Sequence, residues 1–250
     1  MILSHKNRYI FLHCPKVAGS AITAYLSRFL GPNDIRIGST RESRAHGGHL
    51  NRRFYLDLLN RRSLAYITKE LLRHPKKLPV FINEAHKLAY AKHFPHSPAH
   101  ATAREVRDFD PDAWSRYFKF CFVRNPYERL VSYYIWRVTS RGIQNVTFLD
   151  FLKRIEAGDF TDDIVNREHD AWSIYTISDK VCVDFVGRYE NFLDDFKRVC
   201  RKLDLPFDGN LPTAKRRHKG YNYRDWYRAE EKQLVGRLFQ KEIEEFEYCF

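Results

Sequence analysis

One pattern recurs three times along the chain and restricts its fold more than any other feature: an apolar strand, a short polar turn, then an amphipathic helix with a start signal. The first unit is "YIFLH", followed by "CPKVAG" and a helix from Ser20 in which Ile22, Tyr25, Leu26 and Phe29 recur at helical spacing. The second is "YFKFCFV", Tyr117 to Val123, followed by "RNPYERLVSYYIW". Here Asn125 is a natural N-cap, Pro126 suits the first helical position and Glu128 the third. The third is "VCVDFV", Val181 to Val186, followed by "GRYENFLDDFKRVCRKL", with Asn191 as N-cap and Asp194 at the third position. Strands that alternate with helices predict an α/β fold with a central, mainly parallel sheet flanked by helices. Ligands in such sheets sit beyond the C-terminal strand ends.

The remaining segments fit between these units. Residues 31–114 hold a basic helical part, "NRRFYLDLLNRRSLAYITKELLRH", and a His-rich loop, "EAHKLAYAKHFPHSPAH". Thr147 and Asp150 form a capping box ahead of "FLKRIEAG". At the end, Leu234, Val235, Leu238, Phe239, Ile243 and Phe246 share one helical stripe, which predicts a helix packed on the core. No linker or low-complexity tract divides the 250 residues, so one domain spanning 1–250 is expected.

The balance of 43 Lys+Arg against 31 Asp+Glu, a formal net charge of +12, favours phosphate, sulfate or a polyanionic polymer as partner over a cation, or else reflects a solvated basic surface. Five cysteines, Cys14, Cys121, Cys182, Cys200 and Cys249, form no CxxC pair and read as reduced, buried thiols. The N-terminal "MILSHKNRYIFLHC" lacks the apolar stretch of a signal peptide and nothing later approaches a membrane span, so a cytoplasmic location is expected.

Two turns carry the chemistry. The loop "CPKVAGSAI" leads from a strand to a helix N-terminus, where backbone N–H groups make an anion site. It is not a Walker A motif, because Lys16 precedes Gly19 instead of following a second Gly, and this disfavours ATP hydrolysis. Gly19, Ser20 and Ala21 can still bring N–H groups to an anion and Lys16 can add a point charge, although by itself the motif reads first as a helix start with an exposed Lys. In the second turn Arg124 ends a strand, and Glu128 and Ser132 share a helix face. An Arg fork and a Ser hydroxyl make a second anion pocket, unless Arg124 merely pairs with a carboxylate and Ser132 merely packs. Two pockets at neighbouring strand ends suit a ligand with two separate phosphates.

With these residues in view, "PKVAGSAI" and "FCFVRNPYERLVSYY" resemble the paired motifs of sulfotransferases that use 3′-phosphoadenosine 5′-phosphosulfate, in the branch of carbohydrate sulfotransferases of Golgi and bacterial type. The resemblance implies a P-loop-like three-layer sandwich. It also implies that Lys16, Gly19, Ser20, Ala21 and Ile22 hold the 5′-phosphosulfate and Arg124 and Ser132 the 3′-phosphate. "HATAREVRDFDP", "VDFVGRYENFLDDF" and "IEEFEYCF" look like further landmarks of the family. Two departures stand out: Ala21 replaces a frequent Ser or Thr, and Trp172 and Ser173 occupy a neighbourhood where the family often has Gln after Pro.

Sulfuryl transfer to a hydroxyl needs a base, positive charge on the leaving phosphate and in-line placement. Lys16 fits the charge role, and no metal is required. The resemblance places the base at His100, in "PAHATAREV", with His86 beside Glu84 in reserve. His46 and His49 lack further metal ligands and read as solvated loop. The run from Ala214 to Tyr227 mixes five strong cations with four aromatics. In the resembled family such a loop closes on the nucleotide, which implies Lys215, Arg216 and Arg217 at the 3′-phosphate and Tyr221 or Tyr223 on adenine. The expected reaction is transfer to a hydroxyl, on a glycan, with no nucleic-acid partner. A small-molecule or sugar kinase and a non-enzymatic polyanion-binding module are the rival readings.

Overall fold

In the computed structural model the described residues are 1–74, 78–161, 164–166, 169–211 and 222–250. Strands β1 (Ile2–Ser4) and β2 (Tyr9–Leu12) form an antiparallel hairpin, and the loop after β2 feeds helix α1 (Gly19–Leu26). β3 (Ile35–Arg36) pairs with the other edge of β1. A helical segment follows: α2 (Thr40–Ala45), α3 (Arg52–Leu58), α4 (Arg61–Arg73), α5 (Leu78–Tyr90), α6 (Ala103–Phe109) and α7 (Pro111–Arg116). β4 (Phe118–Val123) leads into α8 (Pro126–Arg141), then α9 (Phe148–Ala157) and α10 (Trp172–Tyr175). β5 (Thr176–Ile177) and β6 (Lys180–Val181) make a separate two-stranded ribbon. β7 (Phe185–Arg188) leads into α11 (Phe192–Lys202), and α12 (Ala229–Leu238) and α13 (Gln240–Glu245) end the order.

The sheet order is β3-β1-β2-β4-β7, and the strands of the three repeated units, β2, β4 and β7, run parallel as expected. Because β1 is antiparallel to both β2 and β3, β3 runs in the sense of β2. The C-terminal ends of β2, β3, β4 and β7 therefore open on one edge of the sheet. That edge carries the site.

Both sheet faces are covered, so the strands read as continuous apolar runs instead of alternating ones. The pleat still sorts side chains with a period of two. Phe122 packs on Phe192 and Phe196 of α11, and Phe11 stacks on Phe120, while Tyr25 of α1 meets Phe196 edge-on. Gly187, opposite Phe122 in the β4–β7 register, must be glycine, because a Cβ there would sit 2.5 Å from the Phe122 ring. The Thr147–Asp150 capping box forms as the sequence predicts. All five cysteines are free; Cys14, Cys121 and Cys200 are buried, and burial pushes the Cys200 thiol up to about 12.

Several expectations need correction. The third strand is Phe185–Arg188, not Val181 to Val186, because Asp184 interrupts the apolar run: its carboxylate accepts from the Lys119 amide at 2.7 Å and pairs with its ammonium at 2.9 Å. Asn191 stands at the N-cap of α11 but makes no capping bond; its amide donates to Asp195, which also accepts from the Arg188 amide at 2.8 Å. The basic helical part is two helices, split where Asn60 accepts from the Ser63 amide. Half of the predicted His-rich loop is helical, with Glu84 to Tyr90 in α5. The C-terminal stripe breaks at Phe239 (φ −117°, ψ 25°), and Glu242 beyond the break forms a buried ion pair with Arg129 at 2.5 Å.

Candidate active site

The loop between β2 and α1 holds two non-glycine residues in the left-handed region, Lys16 (φ 63°) and Ala18 (φ 62°). Each costs on the order of 1 kcal/mol or more, and such strain persists where packing over-determines the backbone. The loop is clamped at Gly19, where a Cβ would lie 2.0 Å from the His13 ring, so only glycine lets α1 start this close to the end of β2. α1 carries no side-chain cap. The amides of Ala21 and Ile22 donate to the Ala18 carbonyl at 2.9 and 3.3 Å, so the helix itself uses them. Of the Gly19–Ile22 amides expected to face an anion, only those of Gly19 and Ser20 have no such partner among the described residues. The Ser20 hydroxyl accepts from Ser39 at 3.3 Å.

Arg124 directly follows β4, the parallel neighbour of β2, and is 5% exposed. Its Nη1 donates to the Lys16 carbonyl at 3.1 Å, its Nη2 pairs with Glu128, and its guanidinium lies 4.2 Å over the Tyr189 ring. Its Nε is buried without a hydrogen-bond partner. The two loops expected to hold anions thus touch, and Arg124 also makes the carboxylate pairing that stood as the alternative to an anion pocket. Lys16 Nζ sits 5.3 Å from the Trp136 ring centroid. Glu128, Ser132 and Trp136 follow one another at i, i+4 and i+8 on α8. The half-buried Ser132 lies between two residues that face the loop, so it shares their face. Trp136 and Tyr189 escaped the sequence reading, although the i+4 step from Ser132 was a usable signal for the first.

His100 ends a 3₁₀ turn, Pro98–His100, and its Nδ1 lies 2.6 Å from the carbonyl oxygen of His13. A carbonyl can only accept, so Nδ1 carries the proton and the lone pair of the neutral ring sits on Nε2. The two imidazoles pack with centroids 4.6 Å apart. His13, which sequence reading passed over, therefore seats Gly19 on one side and orients His100 on the other. His13 immediately follows β2, in the same loop that carries Lys16.

His86 is 1% exposed, held between α3 and α5 by Asp57 at 3.3 Å and by the Phe54 ring. Asp57 also takes Tyr90 and Arg53, so His86 belongs to a structural polar cluster. Burial holds the His86 pKa below the usual 6.5, the Arg36 and Arg53 charges act in the same direction, and Asp57 opposes them. The folded chain keeps His86 neutral where the unfolded chain protonates it, so the unfolded state binds more protons below about pH 6.5. His86 thus stabilises the fold fully above that pH and progressively less as the pH falls toward its folded value. The melting temperature is expected to drop between about pH 7 and about pH 5, and His86→Gln to flatten part of that drop. An unchanged slope in the variant would assign the loss to other groups.

His46 is half-buried and His49 exposed; among the described residues no group of three or more His, Cys, Asp or Glu is placed to hold a metal ion. Lys215, Arg216, Arg217 and Tyr221 lie outside the described residues. Tyr223 packs edge-on against Phe250 and Tyr227, with Arg224 over its ring. Trp172 donates to Asp179 at 3.1 Å and lines, with Asp170, Arg237, Gln240 and Lys241, a cavity of about 360 Å³.

A family model described as "Sulfotransferase family" matches residues 1–248. An uncharacterized protein of Archaeoglobus fulgidus is 34% identical over 105 residues, which cover 39% of this chain and 78% of that protein. No solved structure matches. The chain belongs to the sulfotransferase family and is a sulfuryl-transferring enzyme by membership.

Proposed function

We propose that the chain, acting as one domain, transfers the sulfuryl group of 3′-phosphoadenosine 5′-phosphosulfate to a hydroxyl of a carbohydrate. The observation that carries this reading is the hydrogen bond from His100 Nδ1 to the His13 carbonyl, which puts a basic Nε2 on a ring held by the loop that carries Lys16. The donor fits the residues present: the Gly19 and Ser20 amides and Lys16 suit the 5′ end, and a 3′-phosphate oxygen would supply the partner that Arg124 Nε lacks. Ser132 adds a hydroxyl on the same side. In the reaction the acceptor oxygen bonds to sulfur as the bond from sulfur to the 5′-phosphate oxygen breaks. His100 Nε2 takes the acceptor proton, and Lys16 balances the charge that develops on the departing phosphate. The motif resemblance supports a glycan acceptor, and the Trp172 cavity offers an aromatic face flanked by polar groups. Five free thiols, with Cys14, Cys121 and Cys200 buried and Cys249 exposed, support a reducing, cytoplasmic setting.

Calorimetric titration with 3′-phosphoadenosine 5′-phosphate beside ADP tests the donor site. The bisphosphate is expected to bind tighter, and Arg124→Ala to weaken it by roughly 10- to 100-fold, the scale of one or two charge-assisted hydrogen bonds. Equal binding of both nucleotides would remove the 3′-phosphate pocket from this reading.

A further inference from the structure

Nine of the ten large apolar side chains exposed among the described residues fall within residues 55–88, in the α3–α5 segment. α4 is the centre of this patch. It buries only Ser63, while Leu64, Leu71 and Leu72 lie at i, i+7 and i+8 on one face, with Leu72 83% exposed. α3 repeats the pattern with Arg52, Tyr55, Leu56 and Leu59 all exposed at i, i+3, i+4 and i+7. A monomer rarely leaves so many leucines in water without a partner for them.

Charge identifies the partner. Residues 52–73 hold six Lys/Arg against two acidic residues. Asp57 is turned inward against His86 and Tyr90, and Glu70 is spent on Arg73. Arg52, Arg61, Arg62 and Lys69 are exposed, with no ion-pair partner among the described residues. A two-fold contact with a second copy would set these cations against their own images. An anionic bilayer surface meets both demands at once, since phosphate headgroups pair the cations and the acyl boundary takes the leucines. No described helix is long and apolar enough to cross a membrane, which makes this a contact along the surface.

We propose that the α3–α4 face docks this protein on an anionic lipid surface through exposed leucines rimmed by arginines. The reading does not depend on the donor site. Flotation with vesicles of phosphatidylcholine containing phosphatidylglycerol is expected to carry the protein, and vesicles of phosphatidylcholine alone to carry much less. Leu64→Gln with Leu72→Gln, and separately Arg61→Ala with Arg62→Ala, should each weaken partitioning on the order of tenfold. Unchanged melting temperatures would show that the variants fold. Equal binding to both vesicles, or none, would overturn the proposal. So would self-association in analytical ultracentrifugation that the leucine variants abolish, which would give the face to a second copy.

Discussion

Replacing His100 with alanine is expected to lower turnover by roughly 10²- to 10⁴-fold and to leave binding of 3′-phosphoadenosine 5′-phosphate intact. The size follows from removing the group that takes the acceptor proton, and the intact binding follows from the placement of the donor contacts on other residues. His100 also donates to the His13 carbonyl, so a structural role has to be separated from a chemical one. His100→Asn makes that separation: its amide N–H can replace the Nδ1 donor, but nothing stands at Nε2. If the asparagine variant regains the wild-type rate, His100 only holds the loop, and the base lies elsewhere. If both variants stay slow and the acidic limb of the pH–rate profile disappears, the base is His100.

Lys16→Ala should cost on the order of 10²-fold or more in turnover, the scale for losing one preorganised charge-stabilising donor. The backbone contact that the substitution keeps makes this a clean test. Arg124 Nη1 bonds the Lys16 carbonyl, not its side chain, and the left-handed φ strains alanine as it strains lysine. What disappears is the ammonium over Trp136. Lys16→Arg restores charge with a larger, planar head, so partial recovery is expected. A normal rate in Lys16→Ala would detach this loop from the leaving group altogether.

The site was legible where short-range chemistry decides. Close-packed turns need small residues, so "PKVAGS" stood out between an apolar run and a helical stripe, and Asn125 with Pro126 marked the start of α8. The contacts that make one site from two loops were not legible. The bond from Arg124 to the Lys16 carbonyl spans 108 residues, and the bond from His100 to His13 spans 87. Neither has a period or a spacing that a chain could display. His86, the reserve candidate behind His100 in sequence, was set aside only by its burial against Asp57 and Phe54.

By itself, then, the sequence determined the three strand–turn–helix units and the parallel sense of their strands, and it singled out the two loops proposed here to hold the donor, because those depend on local periodicity and capping. Tertiary structure alone decided the rest. Register placed Gly187 under Phe122, the strand order brought β3 to the same edge as β2, and Asp184 cut the third strand short. The same packing left the leucines of α4 outside the core, since the sequence shows that a basic helix has an apolar side and only its position decides whether that side is covered.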